Sequence, residues 1–347
     1  MRVSEIDVLN RYDHHFQPQI PKFREGKYIQ LIVLRETKSY TIFTTEGQNL
    51  NMERMPAGIK DVRPVERVVM YKRKQIAPER RTGKAVLRQF SLCPSQDIKH
   101  GNGEVIIPKG ECQIIGGACG VCVDCILYGF VVTSNGRSGS QRARVLTDSG
   151  FVIRDMSQVT QNIKLNAITE TTSGGIASGA YSHRENLMPE VFIPTVETLV
   201  DVTKEEFVYV MGNILRTTRY GAESGREGFV RNHIVGIYFS DVEIFSNLEM
   251  SQLFYDALNT NGSFPDSLSL RDLTENLVPV VNESIKKAVG RITMMTDEEI
   301  SELLNDIGII YSDENYLMDF LKALNETSMN YKTQTHKQRL VYNAESK

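Results

Sequence analysis

TKEEFVYVMGNILRTTRYGAESGREGFVRNHIVGIYFSD, residues 203–241, reads as a helix, a glycine-rich loop and a buried strand. Thr203 can cap the free amides of the first turn while Glu206 reaches back to it, the pattern of a capping box. Phe207, Val210, Met211, Ile214 and Leu215 recur at helical spacing and make one apolar stripe to lay on a sheet. Arg216 and Arg219 arrive near the helix end, with Gly221 where a terminus takes a left-handed residue. The loop then interleaves Gly221, Gly225 and Gly228 with Arg219, Arg226 and Arg231, before the apolar run Ile234 to Phe239. Glycines let a backbone approach a ligand closely, and guanidinium forks match phosphate oxygens in pairs. A loop of this kind suits a phosphate chain. The same residues also suit a capped helix whose arginines answer its own dipole, so the surroundings must decide.

The whole chain has 347 residues, enough for roughly two units at about 150 residues each. Its apolar content of 41% and charged content of 24% are those of a globular protein. No apolar run nears the roughly 20 residues of a membrane helix, and residues 1–16 lack the apolar core of a signal peptide. A cytoplasmic location is expected, with no membrane partner. The net charge of −3 does not suggest a general nucleic-acid binder, but the charge is segregated. Between Arg63 and Arg88 nine cations face two glutamates, a balance of +7, whereas from Thr296 to Thr327 nine acids face Lys322 alone, a balance of −8. One face for a polyanion and an acidic face for a basic neighbour are expected.

Working outward, Ile29–Leu34 is nearly all apolar and fits a strand covered on both sides, and Val65–Tyr71 makes another short strand. The cation-rich stretch 71–90 contains RRTGKAV. It is not a nucleotide-binding loop, because Ala85 follows Lys84 and the earlier glycine of GxxxxGK[ST] is missing. It reads as a basic helix or loop lying along a backbone, with Lys72, Arg73, Lys74, Arg80, Arg81 and Lys84 as candidate contacts. Cys112, Cys119, Cys122 and Cys125 follow at C-x6-C-x2-C-x2-C, a spacing that suits tetrahedral zinc better than disulfides inside a cell. Cys93 or His100 could replace one of them. A catalytic zinc deaminase would need an H-x-E element, which is absent, so the zinc is expected to be structural. Val121–Val132 returns to strand-like sequence, and Arg142 and Arg144 add charge. Val159–Thr172 and Glu190–Val202 are β-rich arms around a glycine-rich tip, a protruding hairpin carrying Lys164, Tyr181, His183, Arg184 and Met188. Leu248–Leu258, Leu273–Val289 and a segment capped by Thr296 and Glu299 read as helices, and the polar stretch from Lys332 is expected to fray.

Three segments together, CGVCVDCILYGF at 119–130, KLNAITETTSGGIASGAYSHRE at 164–185 and ILRTTRYGAESGREGFVRNHIVGI at 214–237, resemble one family. It is the Csc-two backbone subunit of the type I-D CRISPR Cascade, within the Cas-seven superfamily. The resemblance implies an α+β fold: a palm of RNA-recognition-motif, ferredoxin-like type, with a zinc-stapled insertion, a β-hairpin thumb and a C-terminal helical region. On this chain residues 1–60 give the first part of the palm, 61–155 the basic zinc-binding insertion or lid and 156–195 the thumb. Residues 196–246 give the second palm half with the glycine loop, and 247–347 the helical region and polar tail. The resemblance further implies copies polymerising along a CRISPR RNA, beside Cas-five-type, Cas-six-type, large and small subunits, and presenting the guide to target DNA or RNA. Two other readings compete. In one, the chain cleaves target RNA, with Asp61 or Asp155 as the aspartate. In the other, it is a stand-alone zinc-containing RNA-binding protein.

Overall fold

A computed structural model of the chain describes residues 1–45, 49–99, 103–133, 139–165, 182–222, 227–259 and 263–345. It is a mixed α/β protein built on antiparallel sheets with helices at its C-terminal end. The central sheet uses β1 (Tyr28–Thr37), β2 (Val145–Thr147), β3 (Phe192–Val200) and β4 (Gly228–Ser240) in the order β4-β1-β3-β2. Short strands Arg219–Tyr220 and Ile292–Met294 both pair with β4. Since β1 is antiparallel to both β3 and β4, those two run parallel with β1 between them. Helix α2 (Lys204–Arg216) makes the crossing from β3 to β4, and α1 (Lys72–Gln89) lies in the chain between β1 and β2.

Both sides of the sheet are covered, as the apolar run in β1 requires. Ile29, Leu31 and Val33 point to a core shared with Phe207, Val210, Met211 and Ile214 of α2 and Val86 and Leu87 of α1. Ile32 and Leu34 point the other way, into a second core built by α3 (Asn247–Leu258) and α4 (Leu277–Ile285). Each buried branched side chain contributes roughly 1.5–3 kcal/mol, so the two cores fix the register of β1 from both sides. Helices α5 (Asp297–Ser312) and α6 (Glu314–Glu345) close the first core with Leu303, Ile307, Ile310 and Leu321. Helices α1 and α2 meet closely because residue 83 is glycine. A Cβ there would sit 2.4 Å from the Tyr209 hydroxyl.

The capping box forms as read: the Glu206 amide donates to Thr203 Oγ1 at 3.2 Å and the Thr203 amide to Glu206 Oε2 at 3.1 Å. Thr296 and Glu299 repeat it at the start of α5. Other expectations need correction. Helix α2 stops at Arg216 with Thr217 as its cap, five residues before Gly221, because the Thr217 hydroxyl returns to the Asn213 carbonyl at 2.7 Å. Within Val121–Val132 the cysteine turn leads into a short helix, Val123–Tyr128, and only Phe130–Val132 is strand. The arm Thr160–Leu165 pairs with Ser182–Leu187, whereas Phe192–Val200 belongs to the central sheet and crosses the boundary read at 195/196. The segment read as Leu273–Val289 breaks at Asn276 into two helices, and α6 continues to Glu345. Part of the acidic stretch is answered internally, since Arg11 pairs with Glu299 at 3.0 Å and Glu302 at 3.2 Å.

Candidate nucleic-acid interface and metal centre

Cys112, Cys119, Cys122 and Cys125 converge. Their sulfurs all lie within 4.8 Å of one another, and all four residues are buried. The separations Cys112–Cys125, Cys119–Cys125 and Cys112–Cys122 are 3.5, 3.9 and 4.0 Å. Four sulfurs placed tetrahedrally at about 2.3 Å from one ion stand roughly 3.8 Å apart, so the set fits a metal ion. Two backbone amides already point at sulfur: Cys119 N donates to Cys112 Sγ at 3.2 Å and Cys122 N to Cys119 Sγ at 3.4 Å. The structure thus brings together the four cysteines read from spacing. Cys93 sits just outside them, 3.7 Å from Cys122, and His100 lies outside the described residues.

This centre accounts for two cations read as nucleic-acid contacts. Lys84 is 1% exposed, with its ammonium 3.0 Å from Cys112 Sγ and 3.0 Å from Asp124 Oδ2. Arg80 pairs with the same carboxylate at 2.7 Å. Four thiolates round a divalent ion leave a buried charge of about −2, and a buried ammonium offsets part of it. Burial pushes the Lys84 pKa down, but Asp124 and the sulfurs of Cys122, Cys125 and Cys93 more than reverse this, so the group stays charged. Hydrogen bonds from Cys119, Cys122 and Cys125 hold the Cys112 thiol far below its ordinary range. Arg144 is buried too, in a two-pronged pair with Glu206 whose Nη1–Oε2 arm is 2.6 Å. Arg80, Lys84 and Arg144 are therefore structural cations and do not face a polyanion. Asp124, which joins α1 to the cysteine turn, was missed because nothing in the local sequence distinguishes it from a surface acid.

A different set of cations remains outside. Lys72, Arg73 and Arg81 on α1, Arg142, Arg216, Arg219 and Arg231 are exposed, and Lys74 is half-buried. Among the described residues none of these eight forms an ion pair. The loop root is fastened to α1: Tyr220 Oη donates to Glu79 Oε1 at 2.9 Å, and Thr217 Oγ1 to Thr82 Oγ1 at 2.8 Å. Arg81 therefore lies beside the chain end that carries Arg216 and Arg219. Burial, then the charges of Arg73 and Arg81, lower the Lys74 pKa, while Glu227 of the loop opposes them. Crowded cations of this kind favour an arriving anion. The Arg216 guanidinium lies over the Tyr311 ring at 5.5 Å and that of Arg219 over Phe229 at 5.8 Å, which orients both forks while the residues stay exposed. Lys72 and Arg73 also line a groove of about 550 Å³ with Val145, Thr198 and Glu243.

The glycines serve packing. Gly228 lies against residues 40–41, where a Cβ would sit 1.7 Å from Thr41 Oγ1 and 2.8 Å from the Tyr40 carbonyl. Gly221 has φ +135° and would meet the Ile42 carbonyl at 3.0 Å. Gly228→Ala is expected to cost about 1–3 kcal/mol through overpacking, read as a lower urea midpoint; an unchanged midpoint would show that this loop root is not clamped. Gly225, Arg226 and Tyr181 lie outside the described residues, and the side chains of Lys164 and His183 are not described. Arg184 lies on the paired strand opposite Ile163. Met188, read as a tip residue, is packed partly buried at the hairpin base, where its carbonyl accepts from Thr37 Oγ1 at 2.6 Å. Asp61 is held by Arg63, and Asp155 caps Ser157 and the Glu66 amide, so both carboxylates are engaged structurally.

The profile of the Csc2 CRISPR family matches residues 15–321. The chain belongs to that family. The crystal structure of Thermofilum pendens Csc2 has the same fold at TM-score 0.62, with 16% identity over 93% of each chain. A chain of a CRISPR RNA-guided surveillance complex superposes more loosely, at TM-score 0.43 and 10% identity over 77% of this chain and 89% of that one. A comparison with curated proteins gives no match. No helix among the described residues is long and apolar enough to cross a membrane.

Proposed function

We propose that this Csc2 family member is the CRISPR RNA-binding backbone subunit of a type I-D Cascade, gripping the guide by its phosphates without chemistry of its own. One observation carries the reading: the part of α1 that carries Arg81 is fastened to the loop root that carries Arg216 and Arg219, and these exposed cations have no ion-pair partner among the described residues. The strand order β4-β1-β3-β2 with helices after β1 and β3 supports a palm of RNA-recognition-motif type. The antiparallel pair Thr160–Leu165 and Ser182–Leu187 supports a thumb. Copies of the chain polymerise along the guide in a helical filament, with the acidic α5–α6 face available to a basic neighbour. The Cas-five-type, Cas-six-type, large and small subunits complete the complex, which works in the cytoplasm on target DNA or RNA. Phosphate contacts position without specifying, so sequence is read by guide pairing. Zinc fills the four-cysteine centre as a structural ion, since thiolate ligands with a closed shell leave no open position for catalysis. The engaged state of Asp61 and Asp155 supports a subunit that does not cut.

Arg219→Glu is expected to weaken binding of a single-stranded RNA, with the slope of log affinity against log salt reduced by about 0.7 for each phosphate no longer neutralised. Equal affinity and equal slope would remove the loop from the interface. Purification from the native host should bring down small RNAs with uniform, repeat-derived ends.

A further inference from the structure

Behind the loop root lies a buried cluster that no RNA contact explains. Arg35 of β1 is fully buried and reaches Glu79 of α1 at 2.8 Å and Glu197 of β3 at 2.7 Å. Its guanidinium also donates to the Tyr220 hydroxyl, Asn232 Oδ1 and Thr195 Oγ1, each at 3.0 Å. Two carboxylates against one guanidinium leave a net negative charge where neither acid is exposed. In addition, the second oxygen of each, Glu79 Oε2 and Glu197 Oε2, is buried without a partner. Two orphaned acceptors in one cluster carrying one surplus charge have a common remedy, a single proton between them.

We propose that Glu79 and Glu197 share one proton and that the cluster is the positioning device for the arginine loop. Asn232 links the cluster to the loop: its Nδ2 donates to the Ile214 carbonyl at 2.7 Å, the Thr217 carbonyl at 3.1 Å and Tyr220 Oη at 2.8 Å. The end of α2 and the strand carrying Arg219 thus hang from groups that Arg35 orients. Two tyrosines also face the pair, Tyr220 on Glu79 and Tyr128, held by Asn213 at 3.2 Å, and burial first raises the pKa of both. Burial, then the Glu79 charge, raise the Glu197 pKa against the pull of Arg35. A raised carboxyl pKa means the folded state holds the proton. The stability it brings is complete below the ordinary glutamate range and is lost as pH rises through the folded value.

The role of the device rests on the proposed RNA reading, but the shared proton does not. Wild type at neutral pH is expected to show the infrared band of a protonated carboxyl, and Glu197→Gln to lose it while staying folded. Wild-type thermal stability is expected to fall with the slope of one released proton as pH rises from the ordinary glutamate range towards the folded value, and Glu197→Gln to lack that slope. Affinity for a single-stranded RNA should follow the same two profiles. No band, or the same one-proton slope through the acid-to-neutral range in Glu197→Gln, would overturn the shared proton. If the variant fails to fold, the wild-type band and slope still decide. RNA affinity flat with pH while wild-type stability falls would overturn the positioning role. No RNA binding at any pH would instead defeat the functional reading and leave the proton standing.

Discussion

Cys122→Ser is expected to weaken binding of the proposed zinc, and Cys93→Ser/Cys122→Ser to abolish it and lower stability by on the order of 5 kcal/mol. A structural zinc site supplies about 10–16 kcal/mol in small domains, and one thiolate of four is a large share of that. The cysteine segment is also held by Val123, Leu127 and Tyr128, which pack into the first core, so the loss should stay below the full value of a zinc site. The insertion's own ladders are Ile98–Lys99 with Val105–Ile107 and Phe130–Val132 with Gly139–Gln141. From α1, Lys84 and Arg80 reach Asp124 and Arg88 reaches the Gly110 carbonyl, so these ties converge on the same centre. Removing the ion would leave Lys84 beside unbalanced thiols. Metal content per chain and a thermal scan with and without chelator give the readout. Cys93 stands 3.7 Å from Cys122 and can take its place, so Cys93→Ser/Cys122→Ser closes that route. A double variant that keeps one metal per chain, or loses it without loss of stability, would refute the structural role.

Arg35→Met should be nearly as damaging, at about 3–5 kcal/mol. Methionine fills much of the volume but leaves Glu79 and Glu197 facing each other in the interior without a cation, and an uncompensated buried charge is among the most expensive single changes. The damage should also be directional. Tyr220 and Asn232 lose their common donor, so the loop root should gain proteolytic or exchange sensitivity before α3 and α4 do. A urea midpoint equal to wild type would show that the pair is already neutral without the guanidinium.

What the sequence disclosed and what it hid divide along the range of the interaction. Local signals held. Both capping boxes, the doubly covered run in β1 and the four cysteines depend on residues a few positions apart, where spacing alone sets geometry. Long-range pairing was invisible. Lys84 reads as one more cation in a basic stretch until Cys112, 28 residues on, is seen against it. Arg144 likewise meets Glu206 across 62 residues. The partner of Thr160–Leu165 was misassigned because Ser182–Leu187, polar and short, carries a weaker β pattern than the apolar strand that follows. The glycines of the loop were read for backbone freedom, whereas Gly228 is fixed by Thr41, a neighbour 187 positions away in the chain.

The covering of β1 from both sides has a consequence for how any single strand could run. With α1 and α2 on one surface and α3 and α4 on the other, the central sheet leaves no broad platform among the described residues on which nucleobases could lie flat. On the proposed reading the guide would be confined to the rim, meeting side-chain tips and turn amides in sequence along its length. Such a track would be indifferent to which letters pass over it and would lengthen by placing another copy end on.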